Sequence, residues 1–101
     1  MASGSARPLE WSSAARRQLA EQIEYVASHG LAQPDRVLDR AESAAESIGR
    51  FPGIGTPGRK AGTREWPIKN SPLTLVYRVR QTKILVLAVV HQRGVFRDSI
   101  G

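Results

Sequence analysis

Cysteine is absent from the 101 residues. There is therefore no disulfide framework, no thiolate metal site and no cysteine nucleophile. Histidine occurs only twice, at His29 and His91, too few for a histidine-based zinc cage. Long apolar runs are missing too. The longest, residues 84–90, has seven members, whereas a bilayer-crossing helix needs about twenty. The opening residues have no hydrophobic stretch of the secretory type. These absences argue against a transmembrane protein, a disulfide-stapled secreted domain and a zinc finger. With 41% apolar residues, the chain reads as one globular domain over 1–101. It is expected to be ordered over about 6–97, to start with a disordered segment at 1–5, and to reside in the cytoplasm.

Acidic residues are almost missing from the second half. Residues 50–97 hold ten cations and one acid, Glu65, a net of +9, whereas residues 1–49 hold five cations and seven acids, a net of −2. Such asymmetry points to nucleic acid or an acidic protein partner. Arginine supplies twelve of the fifteen cations. Its planar fork binds phosphates and carboxylates bidentately, which suits either partner.

The patterning predicts the elements. Residues 7–11 read as a short edge strand, where Pro8 is tolerated. Ser12 or Ser13 can cap a helix over about 13–29, with Ala15, Leu19, Ile23 and Val26 near helical spacing and Gly30 as the stop. Val37, Ala41, Ala44, Ala45 and Ile48 form one apolar stripe on a second helix, about 34–49, with Pro34 in its first turn and Gly49 at its end. A link of four residues favours an antiparallel helical hairpin. Residues 50–62, with four glycines and two prolines, read as a loop. Strands follow at 63–68, at 73–80 with clean alternation, and at 84–90, apolar throughout. The predicted fold is α+β, in the order β-α-α-β-β-β, with the N-terminal helical hairpin on one face of a small antiparallel sheet. A continuously apolar strand needs cover on both faces. The second face must be shielded by the chain's own tail or by a partner.

The run Gly53-Ile-Gly-Thr-Pro-Gly58 matches G-x-G-x-x-G literally, but a helix precedes it and a strand follows, the reverse of a dinucleotide site. Arg64, Lys69, Arg78, Arg80, His91, Arg93 and Arg97 are the cations singled out. A histidine and arginines sharing a sheet face can cleave RNA without a metal, the cations stabilising the phosphate while the histidine moves the 2′-hydroxyl proton. Equally, His91 can be a strand-end histidine bonded to backbone. Tyr77 and Trp11 are expected in the core. Trp66 and Phe96 are either stacking or contact aromatics or core residues.

Four segments together resemble the RelE/ParE toxin superfamily, the ParE branch most closely. They are Trp11-Ser-Ser-Ala-Ala-Arg-Arg-Gln-Leu-Ala-Glu-Gln-Ile-Glu-Tyr-Val-Ala, Phe51-Pro-Gly-Ile-Gly-Thr-Pro-Gly-Arg, Gly62-Thr-Arg-Glu-Trp, and Leu75-Val-Tyr-Arg-Val followed by Ile84-Leu-Val-Leu-Ala-Val-Val-His-Gln-Arg. The likeness covers roughly residues 8–97. It implies the same β-α-α-β-β-β fold and the toxin of a bacterial type II toxin–antitoxin pair, of the plasmid-stabilising kind. The implied partner is a cognate antitoxin in a hetero-oligomeric complex, which carries the toxin to operator DNA only indirectly. No cofactor, metal or membrane is implied. The branches differ in target: ParE-like members inhibit DNA gyrase, and RelE-like members cut messenger RNA on the ribosome. The His91-Gln-Arg93 ending resembles the ParE branch, and the following Gly94-Val-Phe-Arg lacks the basic–aromatic tail of nuclease members. Gyrase inhibition is the expectation and a metal-independent ribonuclease the alternative. The nuclease would use Arg64, His91 and Arg93. The expected target or antitoxin contacts are Arg59, Lys60, Arg64, Trp66, Lys69, Arg78, Arg80, Arg93, Phe96 and Arg97.

Overall fold

A computed structural model describes residues 6–91. Expectations for residues 1–5, Arg93, Phe96 and Arg97 lie outside that range. The elements are β1 (Leu9–Trp11), α1 (Ser13–Ser28), α2 (Pro34–Arg50), β2 (Thr56–Pro57), β3 (Arg64–Pro67), β4 (Leu73–Val79) and β5 (Ile84–His91). They build one five-stranded sheet in the order β1-β5-β4-β3-β2, with both helices on one face.

Local chemistry accounts for the helix boundaries. Ser12 is the N-cap of α1, its Oγ accepting from the Ala15 amide at 3.0 Å. At the other end Gly30 takes φ 65°, and the amides of Gly30 and Leu31 donate to Ala27 and Val26 carbonyls. That is a Schellman stop, in which an apolar residue at the Leu31 position is usual. Pro34 is the first residue of α2. The helix passes Gly49 and ends one residue later, at Arg50, while the Gly49 carbonyl accepts from the Arg7 amide at 2.9 Å. All five members of the α2 stripe are buried.

The core lies between the helices and the sheet. Leu73, Leu75, Tyr77, Ile84, Val86 and Val89 meet Ala15, Leu19, Ala41, Ala44, Ala45 and Ile48 there. Burying a Leu, Ile or Val side chain contributes about 1.5–3 kcal/mol. Trp11 and Trp66 pack partly buried at its margin. On the opposite face Val76, Val90 and Ala88 form a second, smaller apolar cluster, as the uniformly apolar β5 requires.

Two features correct the expected sheet. It is mixed, not wholly antiparallel: β1 runs parallel to β5, Leu9 beside Ile84 and Trp11 beside Val86. The cause is the short step into α1. Ser12 alone separates β1 from the helix, so the chain cannot reverse, and α1 continues along β5. Ser12 Oγ donates to the Leu87 carbonyl at 3.2 Å, and Gln18 Oε1 accepts from the Val89 amide at 2.9 Å. Residues 50–62 also contain a fifth strand, β2, paired antiparallel with β3 through Thr56–Glu65 and Pro57–Arg64.

Candidate target-binding site

Register assigns the cations to different places. Residues directly opposite in an antiparallel pair share a face. Arg64 stands opposite Tyr77 and Trp66 opposite Leu75, so both lie on the helix side. Arg78 stands opposite Leu85, on the other face, with Glu65 beside Val76. The Arg78 guanidinium lies against Gly62, where a Cβ would come within 2.9 Å of Nη1. The Glu65 carboxylate accepts from the Arg59 amide at 3.1 Å. Lys60, Lys69 and Arg80 are exposed. Lys83 pairs with Glu10 at 3.0 Å on the surface.

His91 is elsewhere. It ends β5 opposite Leu73, four residues along β4 from the partner of Arg64. Four residues of strand span about 13 Å, and β4 itself stands between β3 and β5. The two side chains are not brought together. His91 instead helps to line a cavity of about 330 Å³ with Tyr25, Leu31, Val37, Arg40 and Pro72.

Arg64 is committed to a loop. Its Nη1 donates to the Gly55 carbonyl at 2.6 Å. The phenol of Tyr77, fully buried, reaches the same loop: Oη accepts from the Gly55 amide at 2.9 Å and donates to the Pro52 carbonyl at 2.8 Å. Every polar atom of that phenol has a partner, which burial demands. Gly55 is required by space: a Cβ there would sit 2.7 Å from both the Glu65 carbonyl and Tyr77 Oη. The Gly-x-Gly pattern at 53–55 is thus a close backbone approach to a tyrosine, not to a nucleotide. Sequence reading placed Tyr77 in the core but missed its hydroxyl bonds, because both partners are backbone atoms of a loop.

Burial pushes the Tyr77 phenol above the usual tyrosine range, opposed by the Gly55 amide and by the Arg64 charge. The fold therefore favours the neutral phenol. Its stabilisation is complete below the ordinary tyrosine range and is lost as pH rises through the raised value. An alkaline absorbance titration is expected to show the Tyr77 step above that range, and Tyr77→Phe to remove it.

A sequence model of the ParE toxins of type II toxin–antitoxin systems, parDE, matches residues 9–96. This chain belongs to the ParE toxin family. A Sinorhizobium fredii protein named "Putative toxin Y4kP" is 30% identical over 90 residues, covering 88% of this chain and 94% of that protein. Two solved structures share the fold of this ParE-family chain. The chromosomal ParDE toxin–antitoxin system from P. aeruginosa superposes with a TM-score of 0.65 at 19% identity, covering 84% of this chain and 95% of that one. The RelBE2 toxin–antitoxin complex from Mycobacterium tuberculosis gives 0.61 at 24% identity, covering 86% and 92%. No described helix of this ParE-family toxin is long and apolar enough to cross a membrane.

Proposed function

We propose that this toxin inhibits DNA gyrase in the ParE manner and is neutralised by binding a cognate antitoxin. The observation that carries the reading is the separation of Arg64 from His91 across β4. A metal-independent nuclease needs a proton-transfer group and cations on one scissile phosphate. Here Arg64 is bonded to a loop carbonyl and His91 stands four residues away along β4, so this pair does not meet that need. A protein-docking inhibitor has no such requirement. Membership of the ParE family supports the same choice. The solved ParDE and RelBE2 systems supply the antitoxin by likeness. Two grooves that meet at Trp11, one between β1 and α2 and one between α1 and α2, offer this chain an apolar floor for it, with Arg16 and Glu42 on the rim.

The test is supercoiling by purified gyrase with the toxin titrated in, beside a translation reaction read by primer extension. Supercoiling is expected to fall while the message stays intact. His91→Gln is expected to inhibit like the wild type, whereas a general acid–base residue would cost about 10²–10⁴-fold on loss. Normal supercoiling with message cut within codons would overturn the reading.

A further inference from the structure

Among the described residues four large apolar side chains are exposed: Tyr25, Leu31, Leu38 and Phe51. Three have local accounts. Tyr25 lies against the His29 ring at 4.2 Å between centroids. Leu31 belongs to the Schellman stop. Leu38 lines the groove between the helices. Phe51 has none of these and is 57% exposed.

A single exposed apolar residue is ordinary. The backbone that carries Phe51 is not. Its amide donates to the Ser47 carbonyl at 2.8 Å, and its own carbonyl accepts from the Ile54 amide at 2.9 Å. Tyr77 holds Pro52 within that turn and Gly55 just after it, and Arg64 holds Gly55 again. A buried hydroxyl and an arginine fork are thus spent on fixing a surface turn. A phenylalanine at position 77 would fill the core equally well. What the hydroxyl adds is the position of the loop.

We propose that Phe51 is the aromatic anchor through which the toxin seats on its protein target, with Tyr77 and Arg64 as positioning residues that preorganise it. This rests on the inhibitor reading above. A rigid aromatic side chain loses little conformational freedom on docking, which is why such residues dominate interface energetics. The partner surface it fits is an apolar pocket with an acidic surround: Arg50 beside it is paired with Glu46 at 3.0 Å, but Lys60 is exposed and residues 50–97 carry a net of +9. Phe51 lines neither groove that meets at Trp11. The antitoxin is therefore expected to bind without it.

Phe51→Ala is compared with the wild type in growth arrest on induction, gyrase inhibition, antitoxin affinity and thermal unfolding. Loss of potency by roughly 10–100-fold is expected, the range of a truncated hot spot. Unfolding and antitoxin affinity are expected to stay unchanged, and Phe51→Tyr to restore most of the potency. Adding Tyr77→Phe to Phe51→Ala, assayed well below both unfolding temperatures, should lower potency no further, because Tyr77 acts through Phe51. Wild-type potency in Phe51→Ala overturns the anchor, as does a loss of antitoxin affinity in step with potency. A toxic wild type that leaves supercoiling intact removes gyrase as target, and growth arrest then still decides on Phe51. A wild type that arrests neither growth nor gyrase removes both readings.

Discussion

Replacing Tyr77 with phenylalanine is expected to lower the unfolding free energy by about 2–4 kcal/mol, since each buried polar group left without a partner costs about 1–3 kcal/mol. The ring itself would stay in the core with Leu75 and Val86, so the loss falls on the Gly55 amide and the Pro52 carbonyl. A urea titration checks it: the midpoint should move down with an unchanged slope. A change under about 0.5 kcal/mol would mean that the loop swings out and exchanges the hydroxyl for water.

Gly55→Ala is expected to cost about 3 kcal/mol, the upper end for an overpacked site. The added methyl meets the Glu65 carbonyl and the Tyr77 ring edge together. A flexible neighbour could move aside, but Glu65 is held in β3 between β2 and β4. The cost should remain when Tyr77→Phe is added, because removing the hydroxyl relieves one contact and leaves the Glu65 carbonyl in place. Denaturant unfolding of the two single variants and the double variant gives the comparison. A double variant as stable as Tyr77→Phe alone would place the whole conflict at the hydroxyl.

Much of the fold was legible because it rests on periodicity. The α2 stripe recurs at helical spacing, and all five of its residues are buried. The alternation in β4 sends Leu73, Leu75 and Tyr77 to one face and Val76 to the other. β2 was not legible, since Thr56 and Pro57 are held by the backbone of β3 and carry no side-chain pattern of their own. The direction of β1 was hidden for a similar reason. Three residues do not encode a partner, and only the seat of α1 on β5 decides it.

The site divides in the same way. The cations of the second half were legible as charges but not as places. Register puts Arg64 and Arg78 on opposite faces, which their charges alone do not reveal. Arg64 was legible as a cation on a strand, but its bond to Gly55, which ties it to the loop, was not. Gly55 and Pro52 were visible only as loop residues, because a hydroxyl reaching across more than twenty positions leaves no trace in local sequence.

The parallel seat of β1 beside β5 has a consequence for the order of assembly. Ser12 and Leu87 meet across 75 positions, whereas β4 and β5 are joined by the short turn at 80–83. Closing a long loop costs entropy that a hairpin does not, so β4 and β5 can pair early and the outer strand must wait. β1 contributes only three residues. Its pairing follows that of β4 with β5, and its loss takes the Ser12 bond to the Leu87 carbonyl with it, while the Ser12 cap on Ala15 is local to the start of α1. The margin around Trp11 therefore hangs on three residues of strand pairing and one long-range side-chain bond, the signature of a segment that opens locally.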